Sequence, residues 1–455
     1  MFNCNVDSLS INLKIQQLRN SSGELSFFLE KLGRLPSSFD GSIFVQLLEH
    51  ENEKVRLYSV KNLGKLGGDK YLSTLYRVAQ SDLSTLVRRE AVSSMGRMRN
   101  EKSKSLLFDF LGDSDPKIVC QAIRGLLVFK GERLVDKKLK DLLAHENEMI
   151  RQVIVKEYFS ENYNSNKEKN IPHAAVYTFM ENITVNGDAI ETMSLLPDES
   201  IHLTFTSPPY YNARDYSIYP SYEAYLKFLE NIFMETFRIT KEGRFLVVNT
   251  SPVIVPRISR AHSSKRYPIP FDLHGLLVKM GWEFIDDIVW KKPEYSVKNR
   301  VGGFQQHRKP LAYKPNSVTE YLMVYRKPTD KLIDWNIHQY DHNTVNESKV
   351  DNGFETTNVW EINPKSDKIH SAIFPEELCQ RVIDYYSFKG DIIFDPFGGS
   401  GTLGRTALMR GRKFFMTEID SHYCQYIEKL LRKSELFEKH TCKIMSLNDF
   451  KNTIL

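Results

Sequence analysis

The stretch DIIFDPFGGSGTLGRTALMRGRKFFMTEID, Asp391 to Asp420, decides the fold. Ile392 to Phe394 reads as a buried strand, and Asp395-Pro396 ends it, because proline has no N–H for a ladder. Phe397 to Gly401 is a glycine-rich turn, FGGSG. From Thr402 the pattern is helical, with Leu403, Ala407 and Leu408 directed inward. A second strand, Lys413 to Met416, leads to Glu418. Glycines after the first strand let a ligand lie against the backbone and the helix N-terminus. An acid at the end of the next strand, roughly 20 residues on, is placed to bind two ribose hydroxyls. The nested order of strand, glycines, helix, strand and acid is far more informative than the glycines alone.

Upstream, the texture is α/β from Tyr177. Gly187-Asp188 precedes a short helix, and Ile201 to Phe205 reads as a strand that runs into Thr206, Ser207, Pro208, Pro209 and Tyr210. Two prolines cannot continue a ladder, so the chain leaves the sheet at the strand's C-terminal edge, where open α/β sheets hold ligands. There it presents a hydroxyl, backbone carbonyls and a flat ring, a set suited to a planar base with an exocyclic amine. Taken alone, TSPPY reads as a proline turn over a buried tyrosine; the other motifs are what turn it into a site. Ser221 to Ile239 and Asp272 to Met280 are helical. Arg244 to Val248 and the run ending IVWKKP (Ile288 to Pro293) are strand-like. This alternation predicts a parallel or mixed sheet.

The segment 291–368 differs. Between Lys291 and Pro328 stand nine Lys or Arg, offset only by Glu294 and Glu320. Lys298, Arg300, Arg308 and Lys309 are among them, and a second basic run holds Arg257, Arg260, Lys265 and Arg266. Charge this unbalanced suits a phosphate backbone. Trp290 is a candidate wall for an extruded base, or a core residue.

Residues 1–165 repeat. Val55, Val87, Ile118 and Ile150 begin units with an apolar or small residue again four and eight positions later. The period of about 32 residues predicts stacked helical pairs. Residues 160–172 read as a linker. Across the chain, a net charge of +5 permits a polyanionic partner without demanding one. The five cysteines are scattered with no CxxC, which predicts no metal site and fits a reducing cytoplasm. No apolar run approaches a membrane span of about 18 residues.

With these motifs in view, residues 177–435 resemble the DNA amino-methyltransferases. FGGSG matches their FxGxG cofactor loop, TSPPY matches their [DNS]PP[YFW] motif, and His370 to Leu378 resembles a third segment that touches the cofactor. The catalytic motif precedes the cofactor motif, which is the order of the family's β class. The resemblance implies an α/β Rossmann-like methyltransferase domain with a doubly wound, mostly parallel sheet. The repeats that precede it lie outside the family's usual core and resemble short HEAT-like repeats, an all-α solenoid. Together the two readings divide the chain into a repeat domain (1–165), a catalytic half (173–290), a target-recognition segment (291–368) and a cofactor half (369–455). The family resemblance implies S-adenosylmethionine held by Asp395, Pro396, Phe397, Gly399, Gly401, Thr402, Glu418 and Phe374, with Asp188 a weaker member. It implies double-stranded DNA as substrate, a flipped base stacked on Tyr210, and a role in restriction and modification. The exocyclic amine would meet the Ser207 hydroxyl and the Pro208 carbonyl, with Pro209 keeping the turn rigid. Ser207, where adenine enzymes often carry Asp, favours N4 of cytosine over N6 of adenine. No Pro-Cys pair exists for C5 chemistry. The alternative from another class is a HEAT-repeat nucleic-acid scaffold with an inactive methylase domain. A protein partner on the repeats is a further expectation.

Overall fold

A computed structural model describes residues 8–33, 35, 39–158, 173–212, 219–255, 261, 265–296, 317–329, 331, 334–350, 356–365, 374–432 and 442–454. The chain divides into two compact units, Met1–Lys167 and Glu168–Leu455.

The first unit is helical and its period is visible in its caps. Asn52, Ser84, Asp115 and Asn147 each accept a backbone N–H with the side chain and start the helices Glu53–Leu66, Thr85–Met98, Pro116–Leu126 and Glu148–Val153. Such caps satisfy donors that the first helical turn leaves orphaned. The stripe residues Val55, Ser59 and Leu63 are fully buried, as are their equivalents Val87, Ala91 and Met95 and the trio Ile118, Ala122 and Leu126. In two units the arginine after the first stripe residue binds the next inter-helix turn: Arg56 to Asp82 and Arg88 to Asp113. One stack of side chains thus forms a continuous core through the unit. This is the architecture of a HEAT-like array.

The second unit is built, among the described residues, on eleven strands: β1 (Ile183–Asn186), β2 (Ile201–Thr206), β3 (Thr240–Thr250), β4 (Val253–Val255), β5 (Lys265–Tyr267), β6 (Glu283–Lys291), β7 (Thr319–Arg326), β8 (Val359–Glu361), β9 (Ile392–Asp395), β10 (Lys413–Glu418) and β11 (Lys443–Ser446). Nine of them form one sheet in the order β11-β1-β10-β9-β2-β3-β7-β6-β8, and β4 and β5 form a separate hairpin. The six strands from β11 to β3 are parallel. β7 is antiparallel to both β3 and β6. Successive residues of β9 and β10 alternate between two cores. Phe394 and Phe415 join one with the helices Tyr222–Ile239 and Ile269–Lys279, and Ile393 and Met416 join the other with Glu376–Tyr386 and Thr402–Met409. Alternation into two apolar faces is what a strand in a doubly covered sheet requires.

The segment 291–368 contributes to the sheet: β7, and at the edge β8, are hydrogen-bonded members of it. The reason lies in VTEYLMVYR, whose Leu322 to Tyr325 are buried on both sides between β3 and β6. Among the described residues no helix is long and apolar enough to cross a membrane.

Candidate active site

From β2 the chain proceeds to β3 on one side, and from β9 to β10 on the other. The crevice between β2 and β9 is therefore a topological switch point, the position where open α/β sheets leave room for a ligand. The two sequence motifs both emerge there. Leu203 and Thr204 pair with Ile393 and Phe394, so Thr206 and Asp395 end adjacent strands although 189 residues separate them. The Thr206 hydroxyl donates to Asp395 Oδ1 at 2.7 Å, and the Phe397 N–H donates to the same oxygen at 3.0 Å. Burial lifts the Asp395 carboxyl to about 7 against these two bonds, and the nearby Glu418 charge adds to the rise.

Glu418 closes the other side of the glycine turn. Its Oε2 accepts the Gly399 N–H at 2.7 Å and its Oε1 accepts the Asp420 N–H at 2.8 Å. Burial also raises its pKa. Each carboxylate oxygen retains a second lone pair. Gly399 and Gly401 have φ of 51° and 73°, the left-handed region that favours glycine. A Cβ at Gly401 would also lie 2.9 Å from Ile427 Cγ1. Phe397 is half-buried with its ring 6.0 Å from that of Phe228, and Thr402 opens the following helix. The Phe374 ring stacks on Phe205 of β2 at 4.5 Å. Asp188 lies at the start of the helix Ala189–Ser194, where its carboxylate accepts the Glu191 N–H at 3.0 Å. That cap is a structural use of Asp188.

On the other side of the crevice, Ser207 and Tyr210 meet residues that no motif flagged. Asn249 Nδ2 donates to Glu320 Oε2 at 2.7 Å and lies 3.4 Å from Ser207 Oγ. The Tyr210 hydroxyl donates to the same Glu320 oxygen at 3.1 Å, and the Lys292 ammonium donates to the other. Burial and the Glu320 charge push the Tyr210 hydroxyl well above its ordinary value, so it stays a donor. Tyr211 is buried edge-on against Tyr222 and Tyr267, which anchors the turn beyond the two prolines. A faint signal for Asn249 existed: a polar residue at the end of the apolar run FLVVN. Glu320 appeared only as one of two acids in a basic stretch.

The basic residues part company. Lys265 and Arg266 are exposed on β5. Arg257, Arg260, Lys298, Arg300, Arg308 and Lys309 lie outside the described residues. Lys291 and Arg326 are paired with Glu361 and Glu283. Trp290 is 4% exposed and its indole N–H donates to the Ile362 carbonyl, so it packs in the core instead of walling a pocket. Among the described residues no cluster of His, Cys, Asp and Glu could hold a metal.

Topology and site together define a Rossmann-like domain of the methyltransferase type, with glycine turn and TSPPY converging on one sheet edge. The chain belongs to the DNA methylase family, whose model (N6_N4_Mtase) matches residues 201–429. HEAT repeats match residues 42–127 and 73–157. Among curated relatives, Type II beta methyltransferase M.BslI of Bacillus sp. (strain NEB-606) is 26% identical over 73% of this chain, an alignment that spans 37% of M.BslI. Type II methyltransferase M.Cfr9I of Citrobacter freundii is 30% identical over 52% of this chain and 83% of its own length. Among solved structures, TTHA0409 from Thermus thermophilus, complexed with S-adenosyl-L-methionine, is similar at 25% identity and a TM-score of 0.48, over 59% of this chain and 98% of that one.

Proposed function

We propose that the protein transfers a methyl group from S-adenosylmethionine to the exocyclic N4 of cytosine in double-stranded DNA. The observation that carries this reading is the Thr206–Asp395 bond, which joins the TSPPY turn to the glycine turn at the switch point. The cofactor side fits the molecule it is asked to hold. Gly399 and Gly401 leave the backbone bare, Glu418 offers lone pairs for a ribose diol, and Asp395 offers a carboxylate for a cationic group. When bound there, the cofactor supplies an electrophilic methyl group.

The remaining work falls to the chain itself. A base inside a duplex hides its amine, so the target is extruded into the crevice. The Tyr210 ring stacks on it. The Ser207 hydroxyl and the Pro208 carbonyl accept from the amino group and favour a more tetrahedral nitrogen with an available lone pair. Positioning of this kind is worth about 7–11 kcal/mol in favourable systems. No basic residue is needed before attack: the new N–C bond forms as the methyl's bond to sulfur breaks, and the surplus proton on nitrogen then passes to solvent water. Ser207 supports cytosine because a neutral hydroxyl donates to ring N3 as well as accepting from the amine, where an ionised carboxylate only accepts. Exposed Lys265 and Arg266 suit phosphate contacts.

Transfer of tritiated methyl groups to mixed duplex DNA tests the reading, with the labelled nucleoside identified after hydrolysis. Label in N4-methylcytosine is expected, and Ser207→Ala should lower the rate by roughly 100-fold or more. Label in N6-methyladenine would reassign the base. No label in any duplex, with the cofactor bound, would overturn the enzyme reading in favour of a nucleic-acid-binding scaffold.

A further inference from the structure

We propose that Glu320 is a positioning residue of the transfer site, orienting Asn249 and Tyr210 so that Ser207 keeps its own proton available to the target base. This rests on the reading of Ser207 and Tyr210 as the amine-binding group. Glu320 stands on β7, and the antiparallel pairing of β7 with β3 brings it level with the end of the strand that carries Asn249. Both of its oxygens are engaged: one accepts from Asn249 Nδ2 and the Tyr210 hydroxyl, the other from Lys292. The Glu320 and Lys292 side chains are only 15% and 18% exposed, so the pair is shielded from water.

The Glu320 oxygens meet donors from three sides, Asn249, Tyr210 and Lys292, and act as acceptors to all of them. Asn249 must therefore turn its NH2 end toward Glu320. The same NH2 group faces Ser207 Oγ at 3.4 Å. With an N–H directed at its oxygen, Ser207 has no reason to spend its proton on Asn249. It donates toward the Tyr210 oxygen instead, whose own proton goes to Glu320. A bound base takes the Ser207 proton through the ring nitrogen beside the amine, while the remaining lone pair of Ser207 accepts from the amine itself. The opposite end of the amide supports a forced orientation. Asn249 is 3% exposed, and its Oδ1 is buried with no hydrogen-bond partner among the described residues. A side chain chosen for stability alone would not leave a buried acceptor unpaired. Tyr210 is fixed by the same charge: its proton goes to Glu320, which holds the ring in one plane for stacking.

The experiment uses the full chain. Glu320→Gln keeps the volume but offers an N–H, which lets Asn249 reverse and turn Oδ1 toward Ser207. The expected result is a fall in kcat of at least tenfold with cofactor affinity by calorimetry little changed, beyond whatever the loss of Lys292's partner takes from the melting temperature. Glu320→Asp, which restores an acceptor-only partner, should recover part of kcat. Asn249→Asp in the presence of Glu320 places two carboxylates at hydrogen-bond distance, so they share a proton. Its activity should be retained at low pH and lost as pH rises, a profile absent from the unaltered protein. Wild-type kcat in Glu320→Gln would overturn the inference. So would a loss matched by equal losses in cofactor affinity and melting temperature and not recovered by Asp, since that is a structural defect. Absence of any transfer by the unaltered protein would instead sink the proposed function and this inference together.

Discussion

Asp395 is a carboxyl set where charge is costly. It is 2% exposed, and burial outweighs the Thr206 and Phe397 bonds, leaving its pKa at about 7. The unfolded value is roughly 3.9. The folded state therefore holds an extra proton across the interval. Stability from this group is fully present below about pH 3.9 and is lost as pH rises through about 7. A ligand carrying a sulfonium and an ammonium has the opposite preference, because a nearby cation favours the ionised carboxyl. Affinity for S-adenosylmethionine should thus strengthen between about pH 6 and 8, with proton release on binding measured by calorimetry in two buffers. Asp395→Asn should flatten that profile and weaken binding by roughly tenfold, the worth of a hydrogen bond to a charged group. An unaltered slope in the variant would assign the titration to another group. Asp395 and TSPPY were both readable because each ends an apolar run in a recognisable way. Asn249, Glu320 and Lys292 were not: they meet only through the antiparallel insertion of β7, and no spacing rule links Glu320 to Asn249, 71 positions earlier, or to Tyr210, 110 positions earlier.

At the scale of elements, the repeats show how a period in sequence becomes a packing constraint. Gly96 follows the last stripe residue of its helix, and a Cβ built there would lie 2.8 Å from the Gly125 Cα on the helix Pro116–Leu126. The obstacle is backbone, so it cannot turn aside. Alanine would gain about 1 kcal/mol in helix propensity. Overpacking against a fixed neighbour costs about 1–3 kcal/mol, so the clash wins. Gly96→Ala should lower the melting temperature of the repeat unit, whereas Gly23→Ala, with nothing within 4 Å of its Cβ, should leave it unchanged or raise it. Equal melting temperatures for the two variants would show that the array yields at this crossing. The stripes and turns of these helices were legible because Val55, Val87, Ile118 and Ile150 recur at nearly constant intervals. The close approach of Gly96 and Gly125 was not, since it depends on how two helices cross. The strand read from the sequence as Arg244 to Val248 is longer, running from Thr240 to Thr250: Gly243 sits inside β3 at φ 69°, where a Cβ would meet Asn336 Nδ2 at 2.7 Å.

Over the whole chain, the charge is divided unevenly between the two units. Residues 1–167 carry 26 Lys or Arg against 21 Asp or Glu, and residues 168–455 carry 36 against 36. The entire net charge of +5 thus belongs to the repeat unit, while the unit that holds the transfer site is neutral. A neutral enzyme domain acting on a polyanion gains no long-range attraction from its own net charge. Every strand of the sheet and every residue of the proposed site lies within 168–455, and its two cores share no residue with that of the repeats. A chain of residues 168–455 should therefore fold, bind S-adenosylmethionine with unchanged affinity and retain kcat. Its affinity for DNA should fall, and the slope of log Kd against log salt should become shallower by about 0.9 for each phosphate contact the repeats contribute. Titrations at several salt concentrations, on duplexes longer than the target site, make the comparison. A slope identical to that of the full chain would assign all phosphate contacts to the second unit and leave the repeats to bind a protein instead.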